Sequence, residues 1–306
     1  MRWNKDPPTF APRQALLLKS LSPFVMTHLV IQAPNLNPTH VEKIAAVAQA
    51  ASIKRINSTA TCLQNIDVEE QELIRQTCDA LGVDGAFLEE IKPFSDCRVL
   101  AMDMDSTLIN IECIDEIADM VGRKPEVAAI TEAAMRGEIK DFAESLRRRV
   151  ALLQGVSVHD LDKVFEERLR LNAGAEKLIQ TAQAAGLKTM LVSGGFTLYT
   201  ERLKERLGLD FAFANTLEIE QGKLTGKVLG DIVDAQGKAD HLTWLAKETR
   251  AEPSQIIALG DGANDLKMLA LSYYSVAYRA KPIVRQQTRF SLNVSGLDAV
   301  LNWFKH

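Results

Sequence analysis

Two groups of carboxylates stand out by residue type and spacing: Asp103-Met104-Asp105-Ser106-Thr107 and Gly260-Asp261-Gly262-Ala263-Asn264-Asp265. Each closes a short aliphatic run, Val99-Leu100-Ala101-Met102 in the first case and Ile256-Ile257-Ala258-Leu259 in the second. Such runs, followed by helix-like sequence, predict buried parallel strands. In an open α/β sheet ligands collect beyond the carboxyl ends of the strands, so two acidic groups placed there converge on one crevice. Oxygen-only donors suit a hard cation, Mg²⁺ above all, which keeps waters and phosphate oxygens in its shell. An aspartate beside such an ion can attack phosphorus and divide a hard hydrolysis into two easier steps. A second aspartate two positions on in an extended segment points the same way, within reach of the leaving oxygen as acid and then of water as base. Taken singly, either group serves equally well as a strand-end turn or helix cap.

Other residues extend the constellation. Ser193-Gly194 ends the strand-like Lys188-Thr189-Met190-Leu191-Val192, where a hydroxyl and free amides can bind phosphate oxygens near a helix N-terminus. Lys238 follows a glycine ahead of a helix and, taken alone, reads as a solvated surface charge. On a helical projection Phe142, Leu146, Arg149 and Leu153 share one sector while Arg147 and Arg148 point elsewhere. Arg149 therefore interrupts an apolar face, either as a snorkelling or paired arginine or as a guanidinium offered to a carboxylate. Glu112 precedes a helix whose first turn already holds Asp115 and Glu116, so favouring that helix's dipole is its simplest role. Met135 and Phe142 are candidates to shape a pocket, although apolar helix residues are more often core.

Asp103-x-Asp105-x-Thr107 with Gly260-Asp261-Gly262-x-Asn264-Asp265 resembles the haloacid dehalogenase (HAD) superfamily of phosphohydrolases. Glu112-Cys113-Ile114-Asp115-Glu116, Ser145-Leu146-Arg147-Arg148-Arg149-Val150, Val192-Ser193-Gly194-Gly195-Phe196 and Phe213-Ala214-Asn215 narrow the resemblance to the phosphoserine phosphatase family, from about residue 98 to the C-terminus. The resemblance implies a Rossmann-like α/β core with a parallel sheet, and Mg²⁺-dependent hydrolysis of O-phospho-L-serine as the last step of serine biosynthesis. It implies Asp103 as nucleophile, Asp105 as acid and base, and Asp103, Asp261 and the backbone carbonyl of Asp105 as metal ligands. Asp265 either ligates through water or anchors its loop, the outer role being favoured. Lys238 aligns with the lysine that steadies the phosphoryl charge and the ionised nucleophile. Ser193, Gly194 and Asn264 fall on the substrate side, Arg149 on its carboxylate and Glu112 on its ammonium. The alternatives are a phosphatase for another small phosphate ester and an amino-acid-sensing protein with a vestigial phosphatase domain.

The remaining sequence bounds the architecture. A chain of 306 residues fits two domains, placed at 1–92 and 93–306. Residues 1–14 are Pro-rich and unpatterned, an expected flexible start. A strand over 27–32, a helix over 41–48 with Thr39 as N-cap, and a short strand over 53–56 suggest an α+β, ferredoxin-like or ACT-like module, a candidate homodimer contact. A helix over 68–81 stops at Gly82. Residues 110–172 carry amphipathic helices and almost no strand signal, which predicts a helical cap inserted into the core. Residues 211–230, with Gln221-Gly222 at their centre, predict a β-hairpin. A net charge of −4 offers no basic field for nucleic acid, so the expected partner is a small molecule. No signal peptide and no run of about 18 apolar residues is present, which predicts a cytoplasmic protein without membrane contact. The four cysteines lack C-x-x-C spacing and are expected as thiols.

Overall fold

The computed structural model describes residues 27–66 and 69–305; the expected flexible start over 1–14 lies outside them. The first unit runs β1 (Thr27–Gln32), α1 (Pro38–Val47), β2 (Ser52–Arg55), β3 (Ala60–Ile66), α2 (Gln71–Ala80) and β4 (Asp84–Leu88). Its strands pair antiparallel in the order β2-β3-β1-β4. The α1 cap is Asn37, whose side chain accepts from the Thr39 amide at 2.9 Å, rather than Thr39 as expected. Pro38 explains the shift: with no amide to donate and φ already set, it suits the first helical position and leaves the cap to the residue before it. Gly82 stops α2 as expected, at φ +64°. Strands β3 and β4 have no counterpart in the sequence reading, because Gln64 and Asn65 break the alternation of one and Asp84-Gly85 open the other.

The core begins with β5 (Val99–Met102). Helices α3 (Cys113–Met120), α4 (Lys124–Met135), α5 (Phe142–Ala151) and α6 (Val158–Lys163) then intervene before the core resumes. It continues as α7 (Ala175–Ala184), β6 (Lys188–Phe196), α8 (Thr197–Leu207), β7 (Phe211–Glu220), β8 (Lys223–Leu229), α9 (Ala235–Thr249) and β9 (Ile256–Gly260). The last elements are α10 (Leu266–Leu269), β10 (Tyr274–Tyr278), α11 (Pro282–Arg285) and β11 (Phe290–Leu292). Seven strands form one sheet in the order β11-β10-β9-β5-β6-β7-β8, parallel except for β8. The hairpin turns at Gln221 and Gly222, both at positive φ, while the start of β7 also pairs parallel with β6. The helical insertion leaves and re-enters the core at one point, where Ile109 and Leu171 form an isolated bridge.

Apolar residues on both faces explain why the core strands read as unbroken runs. Val99 and Ala101 join the cluster under α9, while Leu100 and Met102 join the larger cluster on the other face. The first unit buries both faces as well. Leu29, Ile31 and Leu63 pack beneath α1 and α2, and Val30, Cys62, Ala86 and Leu88 pack into the large cluster of the core. A polar clasp fixes that contact: the buried Asp84 carboxylate accepts from the amides of Asn293, Val294 and Ser295 at 2.7, 3.2 and 2.8 Å. Removing the acceptor would strand buried amides, so Asp84→Ala should lower stability by about 2–3 kcal/mol. Urea unfolding followed by far-UV circular dichroism would measure the loss; an unchanged midpoint would mean that water replaces the carboxylate.

Candidate active site

The sheet order places the site. Strand β5 lies between β9 and β6, with later strands running outward in opposite directions on its two sides, so the crevice at its carboxyl end is a topological switch point. The residues just after β5 and β9 and late in β6 meet there. A cleft of about 120 Å³ is lined by Asp103, Asp105, Glu112, Arg149, Ser193, Gly194, Asp261 and Asn264, together with Phe142 and Leu146 of α5. Lys238 lies behind it, fully buried in the first turns of α9. Every residue singled out for catalysis or for binding metal or substrate is thus in or against one cleft. Met135 is not: it ends α4 with its side chain exposed.

Lys238 is held between two carboxylates, its Nζ 2.6 Å from Asp103 Oδ1 and 2.7 Å from Asp265 Oδ1. Burial alone would pull the ammonium's pKa down, but Asp103 and Asp265 outweigh it and raise the value. Asp265 Oδ2 accepts from the Gly262 amide at 3.0 Å, so each of its oxygens already has a partner. Gly260 has no room for a side chain, since a Cβ there would meet the Asp265 carboxyl carbon at 2.5 Å. Asp261 receives the Thr107 hydroxyl at 3.4 Å, a contact for Thr107 absent from the sequence reading.

Asp105 reaches the cleft by a route other than the extended segment expected. The chain turns directly after Asp103, Leu108 N bonding Asp103 O and Ile109 N bonding Met104 O, with Ser106 at φ +56°. The Asp105 carboxylate accepts from the Cys113 amide at 3.1 Å. Its other oxygen fills the space that a Cβ at Gly195 would need, 2.6 Å away. Burial and then Glu112 push its pKa up to about 7, the range where one carboxyl group can both give and take a proton at neutral pH.

Asn172 braces this turn. Its side-chain amide donates to the carbonyls of Ser106, Thr107 and Ile109 at 3.4, 2.8 and 3.0 Å. Asn215 does the same across the site, donating to Gly194 O and accepting from Val233 N, each at 2.8 Å. Asn172 stands in no recognisable motif, and its role emerges only once the insertion closes.

Ser193 and Gly194 lie within β6, and α8 starts only at Thr197; the expected helix N-terminus is therefore offset from them. The β6–β7 register breaks between Val192 and Phe196, which frees this stretch from regular pairing. Ser193 Oγ accepts from the Gly195 amide at 2.8 Å, leaving its proton for another acceptor. Glu112 precedes α3 but makes no capping bond; its carboxylate accepts from Ser106 Oγ at 2.7 Å. Burial raises its pKa, an effect screened where solvent enters the cleft. Arg149 is half-buried on α5 and lines the cleft with Phe142 and Leu146 of the same helix, whereas Arg147 and Arg148 are exposed. Among the described residues its guanidinium forms no ion pair, only a 3.4 Å contact from Nε to Ser145 O.

The charge balance is uneven. Asp103, Asp105, Glu112, Asp261 and Asp265 share this region with two cations, Lys238 and Arg149. Burial, with Asp265 next, drives the Asp103 pKa well up against the pull of Lys238, and burial with Asp265 and Glu112 lifts Asp261 to about 7. One oxygen from each of Asp103, Asp261 and Asp265 lies within 4.8 Å of the others. An all-oxygen group with surplus negative charge fits a divalent cation, whose field would favour the ionised carboxylates.

Known proteins share this plan. The sequence model of the haloacid dehalogenase-like hydrolases matches residues 100–270, and that of a domain of unknown function, DUF4072, matches residues 29–71. A protein of Polaromonas sp. named phosphoserine phosphatase is 55% identical over 215 residues, 69% of this chain and 91% of that protein. The crystal structure of a probable phosphoserine phosphatase from Vibrio cholerae, unliganded, superimposes with a TM-score of 0.78 at 38% identity, over 90% of this chain and 85% of that one. A structure described as a phospho-aspartyl intermediate analogue of phosphoserine phosphatase gives 0.63 at 37% identity, over 68% of this chain and 99% of that one.

Lys238→Met would leave Asp103 and Asp265 buried without a counter-ion, at a cost of about 3–5 kcal/mol near neutral pH. An acid whose folded pKa exceeds its unfolded one carries no penalty below the ordinary carboxylate range and a growing one as pH rises through it. The deficit should therefore shrink when urea titrations are repeated at pH 4; a deficit constant with pH would contradict the charge account.

Proposed function

The chain belongs to the haloacid dehalogenase-like hydrolases, in the phosphoserine phosphatase family, and on that footing we propose that it hydrolyses O-phospho-L-serine to L-serine and phosphate with Mg²⁺. The carrying observation is the lining of one small cleft: Asp103 at its base, the unpaired Arg149 from the insertion and the carboxylate of Glu112. A cation for a carboxylate and an anion for an ammonium, set around a nucleophile, match a zwitterionic amino-acid phosphate ester.

Asp103 attacks phosphorus while Asp105 donates its proton to the departing serine oxygen, so the phosphoryl group moves to the Asp103 carboxylate. Asp105 then takes a proton from water, which attacks the phosphoenzyme, releases phosphate and restores Asp103. Lys238, 2.6 Å from Asp103, favours the ionised nucleophile and holds it in place. Ser193, Gly194 and Asn264 supply donors for the phosphoryl oxygens. Asp103, Asp261 and the Asp105 carbonyl would hold Mg²⁺, which when bound supplies Lewis-acid stabilisation of the charge developing on the phosphoryl oxygens. Asp265, with both oxygens engaged, serves as the brace for Lys238. The similarity to the phospho-aspartyl analogue structure supports the covalent route.

The same reading divides the chain into an N-terminal ACT-like unit over 1–92 and a phosphatase domain over 93–306 with its cap at 110–172. Two separate sheets and the Ile109–Leu171 closure support those boundaries.

Asp103→Asn should abolish turnover and acid-stable labelling by ³²P-phosphoserine, and chelation by EDTA should stop hydrolysis until Mg²⁺ is restored. Residual turnover above about one part in a thousand by the purified variant would exclude Asp103 as nucleophile. Arg149→Ala should lower kcat/KM for phosphoserine by about 100-fold or more, equivalent to the roughly 2–3 kcal/mol of a charge-assisted pair. Its effect on p-nitrophenyl phosphate should be small. Glu112→Gln should penalise phosphoserine but spare 3-phospholactate, which lacks the amine. Losses of equal size across these substrates would point to another phosphate ester as the true substrate.

A further inference from the structure

A second, larger cleft of about 440 Å³ lies between the two units, bounded by α2 and β4 on one side and by α11 and β11 on the other. Arg75 enters it from α2 and Arg285 from the end of α11. Neither guanidinium forms a hydrogen bond or ion pair among the described residues. Arg75 lies over the Phe87 ring, 4.9 Å from its centroid, and senses Glu72 and Asp79 without reaching ion-pair distance of either. Both of those carboxylates also line the cleft but are exposed to solvent, which screens their charge. The Nε of Arg285 is buried and has no acceptor among the described residues, so the protein does not itself satisfy this guanidinium. Asp84, the one buried acid in the lining, is already consumed by the amides of Asn293, Val294 and Ser295.

Two half-buried arginines without an ion-pair or hydrogen-bond partner among the described residues, lining one half-open cleft, form a receptor for an oxyanion. The planar fork of each guanidinium matches tetrahedral phosphate, and Ser291 in the same wall adds a hydroxyl, whereas the Thr288 hydroxyl is already donated to the carbonyls of Val284 and Arg285. The volume falls within the range that holds a small metabolite. We propose that this inter-unit cleft is a second binding site, separate from the hydrolytic cleft, for the phosphate group of a small metabolite. Because its walls come from both units, an occupant bridges them and raises the stability of their contact. The site does not depend on which ester the hydrolytic cleft accepts.

The test uses the full chain carrying Asp103→Asn, so that esters survive, and compares it with the same protein bearing Arg75→Gln or Arg285→Gln. Inorganic phosphate and glycerol 3-phosphate are titrated separately by calorimetry, and the thermal midpoint is read with and without each. The expected result is a binding event weakened tenfold or more by either arginine change, with a ligand-dependent rise in midpoint that both variants lose. Tighter binding of inorganic phosphate would assign the site to the free ion, and tighter binding of the ester to an organic phosphate. In the background with Asp103 intact, Arg75→Gln and Arg285→Gln should leave ligand-free hydrolysis unchanged. Superimposable isotherms for all three proteins with both ligands, or response to a carboxylate such as succinate but to neither phosphate, would overturn the proposal.

Discussion

The structure turns on one buried ion triplet: the ammonium of Lys238 lodged between Asp103 and Asp265. Charges removed from water persist only when geometry and pairing compensate for lost hydration. Here the compensation draws on three separate pieces of chain: the end of β5, the first turns of α9 and the turn after β9. None of these can shift without exposing an unpaired charge to a low-dielectric interior. The triplet therefore fixes the position of Asp103, the proposed nucleophile, and the missing Cβ of Gly260 is a consequence, since Asp265 stands in that space.

Around this fixed point the fold separates chemistry from recognition. The acidic groups and Lys238 sit at the ends of buried strands or in the helix packed against them. The guanidinium of Arg149 arrives from α5 in the insertion, and Glu112 from the link that enters it. Neither has a counter-ion of the protein's own within bonding distance among the described residues, so their charges remain available to a ligand. An ion pair between them would have spent the same charges on stability. The carboxylates left in excess in the cleft suit a divalent cation in turn.

The core was legible because its strands are buried on both faces and so read as unbroken aliphatic runs, and because carboxylates at their ends are too costly to be incidental. Arg149 was legible for the opposite reason, as a charge interrupting an apolar helical face. What escaped depended on contacts distant in sequence. Strand β3 keeps Gln64 because its pairing with β1 and β2 overrides weak propensity, while Asn65 stands unpaired in a bulge at φ +55°. Asp84 and Gly85 argue locally against a strand, yet Asp84 is required by amides two hundred residues away. The path of the chain from Asp103 to Asp105 was misread as extended because a turn closed by bonds from Leu108 and Ile109 has no signature in residue type.

That turn explains how an insertion can be tolerated so close to the nucleophile. The insert leaves and returns where Ile109 bridges Leu171, and the neighbouring Asn172 ties down the carbonyls of Ser106, Thr107 and Ile109. Those carbonyls would otherwise be unpaired at a strand end beside several carboxylates, where repulsion between like dipoles and charges favours opening the turn. With Asn172 in place those carbonyls stay paired whatever lies beyond the bridge. The insertion can then differ in length and lining without moving Asp103, and specificity can change while the reacting groups keep their geometry.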